Sequence, residues 1–98
     1  MVIKVLSNTM TPSYATEFVN VTIDGRDHRM KIVAENGNSY SHLKVYIVNI
    51  DSGLHLLASD EDIPGYKYVD YYISDNKRID KNAANIEAAK NWIKQVFA

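Results

Sequence analysis

The chain has no cysteine, only two prolines and four glycines in 98 residues. Without cysteine there is no disulfide framework, thiolate zinc site, iron–sulfur cluster or cysteine nucleophile, and the composition suits a reducing compartment. No apolar run approaches the roughly 18 residues that a membrane-spanning helix requires. The opening Met1-Val2-Ile3-Lys4-Val5-Leu6 turns polar at Ser7, short of the apolar core of roughly 7–15 residues in a signal peptide. A cytoplasmic location without membrane contact is the expectation. Neither sign of charge is in excess: 11 Lys+Arg against 12 Asp+Glu give a net charge of −1. That balance argues against a strongly basic nucleic-acid binder, although it leaves local patches open. Arginine is scarce, with 3 residues against 9 Asn, 10 Ile, 8 Lys and 7 Tyr. The favoured residues have A/T-rich codons, which points to an AT-rich bacterial or phage genome.

Catalytic signatures are equally sparse. There is no Gly-x-Ser-x-Gly nucleophile elbow, phosphate-binding glycine loop or dinucleotide fingerprint. The three histidines include no His-x-x-x-His pair; His28 and His55 are expected to face inward but too far apart to share an ion, and His42 outward. Asp60-Glu61-Asp62 lacks the alternating ligands and distal glutamate of a calcium loop and reads as a solvated acidic loop. No catalytic, cofactor-binding or metal-ligating residue is assigned, and the chain is not expected to be an enzyme.

What is present is a run of turn signals between alternating segments. Ninety-eight residues, 46% of them hydrophobic, make one globular domain over 1–98. Asp24-Gly25, Asn36-Gly37 and Asp51-Ser52-Gly53 separate β-rich runs, and Asp-Gly and Asn-Gly favour two-residue hairpin loops. Loops at these positions set Val21 opposite His28, Val19 opposite Met30, Met30 opposite Leu43 and His28 opposite Val45. Val19, Val21, Ile23, His28, Met30, Ile32, Leu43, Val45 and Ile47 then share one face, which a one-residue slip would scatter. Met1–Leu6 is expected to add a strand, Leu54–Ala58 a return strand, and the aromatic Tyr66–Ser74 another, turned by Asp75-Asn76. Ala83, Ile86, Ala89 or Lys90, Ile93 and Phe97 then recur at helical spacing, a helix of about four turns capped by Asp80 or Asn82. The fold class is α+β: an antiparallel β-meander sheet of five to six strands, packed on one face by a C-terminal α-helix.

Function is sought on the surface. The opposite sheet face collects Arg29, Lys31, His42 and Lys44, with Arg29 opposite Lys44 and Lys31 opposite His42, among Phe18, Tyr40 and Tyr46. Cations interleaved with rings are the chemistry of a single-strand nucleic-acid platform. At one end this face turns apolar, at Val48, Ile50, Leu54 and Leu56, to be covered by 7–16 or 59–65 or offered to a partner. Tyr66, Tyr68 and Tyr72 share one side of their expected strand, with Val69, Tyr71 and Ile73 on the core side. The favoured reading is a small non-catalytic protein–protein interaction module, an accessory or inhibitor protein from a phage or mobile element. Its contacts would be Tyr66, Tyr68 and Tyr72, or Ile50, Leu54 and Leu56, and its partner another protein or a second copy. The alternative is a nucleic-acid-binding module using Arg29, Lys31, His42, Lys44, Phe18 and Tyr46.

Overall fold

The computed structural model describes residues 1–98. Five antiparallel strands follow chain order: β1 (Val2–Met10), β2 (Tyr14–Ile23), β3 (Arg26–Gly37), β4 (Tyr40–Asn49) and β5 (Gly53–Ala58). A single 3₁₀ turn, Asp60–Asp62, and one long helix, α1 (Asp75–Val96), complete the chain. The α+β class and the meander are as the sequence implies, with five strands.

The β2–β3 hairpin turns on Asp24 and Gly25, both at positive φ (51° and 77°), as a tight primed turn requires. Its register sets Val19 opposite Met30 and Val21 opposite His28, as expected. The next hairpin differs. Asn36 and Gly37 lie within β3, and the loop is Asn38-Ser39, because Gly37 pairs with Tyr40. The exposed Tyr40 ring lies over Gly37, in the space a Cβ there would take. Asn36 is fully buried and hydrogen-bonded to α1. Met30 therefore pairs with Ile47 and Leu43 with Ala34, a correction of four residues to the expected β3–β4 register. Four is even, so every side chain keeps its face.

Each buried strand residue except Thr16 lies on the face toward α1: Ala15, Glu17, Val19, Val21, Met30, Ile32, Ala34, Asn36, Ser41, Leu43, Val45 and Ala58. The helix buries Arg78, Asn82, Asn85, Ile86, Ala89 and Ile93 against them. These positions repeat every three or four residues, one stripe of a 22-residue helix about 33 Å long. The helix is longer than the expected four turns because the buried stripe of its first half is polar, which hides it from hydrophobic periodicity. Ser74, not Asp80 or Asn82, is the N-cap; its Oγ accepts the Lys77 N–H at 3.3 Å. Asn82 instead donates to the Thr11 and Pro12 carbonyls at 3.1 and 2.9 Å, tying the β1–β2 loop to the helix. Arg78 donates to Asn36 Oδ1 and to Ser13 Oγ and lies 4.4 Å over the Tyr71 ring. Further along, Glu17 pairs with Lys90 at 2.7 Å beneath the helix.

Tyr66–Ser74 is not a strand. It attaches to β4 through side chains: the Tyr66 hydroxyl donates to Ser41 O and Oγ (2.8 Å each), and Ser41 Oγ accepts the Val69 N–H. Asn85 holds both backbone groups of Lys67 at 2.9 Å. Asp60 accepts the Leu43 N–H and lies 3.1 Å from His42 Nδ1. Segment 59–70 thus covers the part of β4 that β5, paired only from Val45 to Asn49, leaves open. No helix is long and apolar enough to cross a membrane.

Candidate functional site

The helix occupies one side of the sheet, so the other side is the place to look. Cross-strand pairs share a face, and the registers assemble its residues into rows. One row runs Ser7, Phe18, Lys31, Tyr46, Leu56 across all five strands. On one side of it come Lys4, Asn20 and Arg29, with Val48 and Leu54 on the last two strands. On the other side come Thr9, Thr16, Val33 and Lys44, and beyond them Tyr14, Glu35 and His42.

This arrangement alters the expected basic cluster. Arg29 does not oppose Lys44, nor Lys31 His42. Lys44 pairs with Val33 and His42 with Glu35, while Arg29 pairs with Asn20 and Lys31 lies between Phe18 and Tyr46. The four-residue shift of β4 breaks up the like-charge pairs, which a sheet disfavours. Lys31 Nζ lies 5.5 Å over the Phe18 ring, so a base stacking there would compete with this contact. His42 stacks on Tyr40 at a centroid distance of 5.6 Å and is held by Asp60. Of the acidic loop, Asp60 is therefore bound to β4 rather than solvated, and Asp62 accepts the Ser59 N–H at 3.0 Å.

The apolar end is open. Neither segment expected to cover it does so: residues 7–10 and 14–16 belong to β1 and β2, and 59–65 packs by the far half of β4. Ile50 is 100% exposed at the tip of the β4–β5 hairpin, and Leu54 and Leu56 are 46% and 56% exposed. The tip is a defined structure. Asn49 Oδ1 accepts the Asp51 and Ser52 N–H groups (2.9 and 3.0 Å), and Gly53 turns at φ 85°. Ile50 is thus displayed on a pinned loop.

Beside it is a concavity of about 410 Å³, lined by Asn20, Asp27, Arg29, Val48 and Ile50. The Thr22 hydroxyl donates to Asp27 at 2.8 Å, and this bond, seconded by Asn20, holds the Asp27 carboxyl below the ordinary aspartate range. Arg29 is exposed and forms no ion pair. Asn20 and Asp27 were not candidates in the sequence; only a pairing register brings them beside Ile50.

The tyrosine row does not exist as a row. Tyr66 is partly buried, and burial, against its Ser41 hydrogen bond, pushes the phenol above its ordinary pKa. Tyr68 and Tyr72 are exposed on an irregular segment, Tyr72 to 78%, and Val69 alone of the expected core side is fully buried. Tyr71 lies edge-on to Tyr72 at 5.5 Å and covers Arg78, so it belongs to the helix clasp. His28 pairs with Val21 and His55 with Ile47, and His55 Nε2 lies 2.7 Å from Ser52 Oγ. No cluster of three or more His, Cys, Asp or Glu side chains is placed to hold a metal ion.

The fold and this surface define a five-stranded meander backed by one helix, with the opposite sheet face bare. In comparisons with known proteins, no family model, curated protein sequence or solved structure matches the chain.

Proposed function

We propose that the chain is a small non-catalytic protein-interaction module, an accessory or inhibitor protein that binds through the open sheet face at its β4–β5 end. The observation that carries this reading is the exposed apolar pair Leu54 and Leu56 on the outer face, with Ile50 wholly exposed at the adjoining hairpin tip near Val48 and the unpaired Arg29. Exposed apolar clusters rimmed by polar groups mark partner sites. A leucine pair or an isoleucine held at full exposure on a pinned turn contributes little to this fold and much to an interface. Arg29, unpaired at the rim, suits a carboxylate on the partner. A cysteine-free chain of this kind would work in a reducing compartment such as the cytoplasm.

Single-stranded nucleic acid is the weaker occupant. The cations are dispersed over the rows, and Lys31 already lies over the Phe18 ring.

The test is photo-crosslinking in producing cells. A photoreactive residue at Leu56 should give a discrete protein adduct, and the same residue at Lys81, on the solvent side of α1, should not. Equal or absent adducts at both positions would refute the reading.

A further inference from the structure

Asn36-Gly37 is the one Asn-Gly pair in the chain. A glycine after asparagine leaves the following backbone N–H flexible and unhindered. The pair is therefore the chain's most reactive site for attack of a backbone amide on the preceding side chain. In that reaction Gly37 N bonds to Asn36 Cγ and the Cγ–Nδ2 bond breaks. Nδ2 leaves as ammonia with the proton given up by Gly37 N. Water then opens the cyclic imide. Opening at Cγ leaves aspartate. Opening at the backbone carbonyl carbon leaves isoaspartate, whose main chain runs through Cγ and is longer by a methylene.

The fold holds this attack off at both reacting groups. Asn36 is 1% exposed. Its Nδ2 donates to Pro12 O at 3.1 Å and Asn82 Oδ1 at 3.0 Å, and its Oδ1 accepts Arg78 Nε and Nη2 at 3.2 and 3.1 Å. Its backbone N–H donates to Ser13 O at 3.0 Å. Pairing of Asn36 with Ser41 and of Gly37 with Tyr40 keeps the backbone extended, whereas ring closure folds Gly37 N back onto the side chain. Asn38, followed by the small Ser39, stands exposed in the adjoining loop. We infer that Asn36 is a spontaneous modification site, closed while α1 and the β1–β2 loop are seated and open when they lift, and that isoaspartate there makes unfolding irreversible. The labile amide and the hub of the clasp are the same residue. Isoaspartate has no amide donor for Pro12 O or Asn82 Oδ1, and its extra methylene moves Gly37 out of register with Tyr40. A chain left unfolded for longer than the conversion takes cannot rebuild the clasp, so modification of the unfolded chain competes with refolding.

The test holds the unaltered chain in native buffer and in urea at the same mildly alkaline pH and temperature. Peptide mapping by mass spectrometry, with isoaspartate-specific methylation, follows positions 36 and 38. In urea, Asn36 should convert before Asn38. In native buffer the order should reverse. Conversion at Asn36 should there be slower than in urea by about a hundredfold or more, because it waits for a rare opening of the structure. Asn82→Ala, which removes an acceptor of the Asn36 amide, should narrow that gap while leaving the rate in urea unchanged. After dilution from urea, chains with isoaspartate at 36 should fail to regain the native unfolding transition, and chains converted only at 38 should regain it. Conversion of Asn36 ahead of Asn38 in native buffer would overturn the closed site. Refolding of the isoaspartate-36 chain with an unchanged unfolding midpoint would overturn the irreversibility.

Discussion

The two faces of the sheet have similar alternating patterns, yet one is committed and the other is not. On the inner face the central positions have an assigned partner: Val19, Val21, Met30, Ile32, Leu43 and Val45 pack with Ile86, Ala89 and Ile93. Even its polar members are matched, Asn36 to Asn82 and Arg78, and Glu17 to Asn8 and Lys90. On the outer face, Ile50, Leu54 and Leu56 meet no second layer. The difference teaches that apolar character alone does not report a core. What separates the faces is whether something in the same chain covers them, and on the proposed reading that separates changes that cost folding from changes that cost binding.

The contrast can be broken most severely on the inner face. Leu43→Ala, at a fully buried position, should cost about 4 kcal/mol in denaturant unfolding. Lys90→Met should cost about 3 kcal/mol, because it strands the Glu17 carboxylate beneath the helix. The same pair has a pH signature. Burial pulls the Lys90 pKa down, but hydrogen bonds to Glu17 and Glu87 outweigh it and hold the value above the ordinary 10.5. A raised folded-state pKa gives stability that is complete below about pH 10.5 and lost as pH rises through the folded value. The alkaline unfolding limb should therefore be shallower in Lys90→Met. Asn82→Ala comes next, at about 1–3 kcal/mol, since it leaves the Thr11 and Pro12 carbonyls and Asn36 short of partners. Smallest is the effect of Arg29→Glu with Lys44→Glu on the outer face. Stability should change by less than about 0.5 kcal/mol. A labelled single-stranded oligonucleotide should show no salt-steep binding to either protein. Steep, salt-sensitive binding abolished by this pair would instead favour nucleic acid as the ligand.

How much of this was legible in the sequence depended on why each residue is where it is. Asp24-Gly25 read correctly because both residues serve the turn through positive φ. Asn36-Gly37 has the same lettering but other duties: Gly37 makes room for Tyr40, and Asn36 binds the helix. The β3–β4 pairing was accordingly displaced, yet the faces survived because the displacement was even. The first half of α1 was illegible to hydrophobic periodicity because Arg78, Asn82 and Asn85 have the right spacing and the wrong chemistry. Tyr66–Ser74 has strand composition, but its groups reach β4 through Tyr66 and Val69 rather than through a backbone ladder. At the site, Ile50, Leu54 and Leu56 could be placed together at a sheet end from the sequence. Their exposure could not, since it depends on where 59–70 and the helix settle. The basic cluster depends on the β3–β4 register, so the same four-residue displacement disperses it.

The most direct test joins the two halves of the contrast in one pair of proteins: the chain with a photoreactive residue at Leu56, and the same chain carrying Ile50→Asp. The account predicts a discrete protein adduct from the first and its loss in the second, with unfolding midpoints that agree within about 0.5 kcal/mol of stability. Adduct formation that is unchanged by Ile50→Asp, or an unfolding midpoint that collapses with it, would contradict the claim that this face serves binding rather than folding.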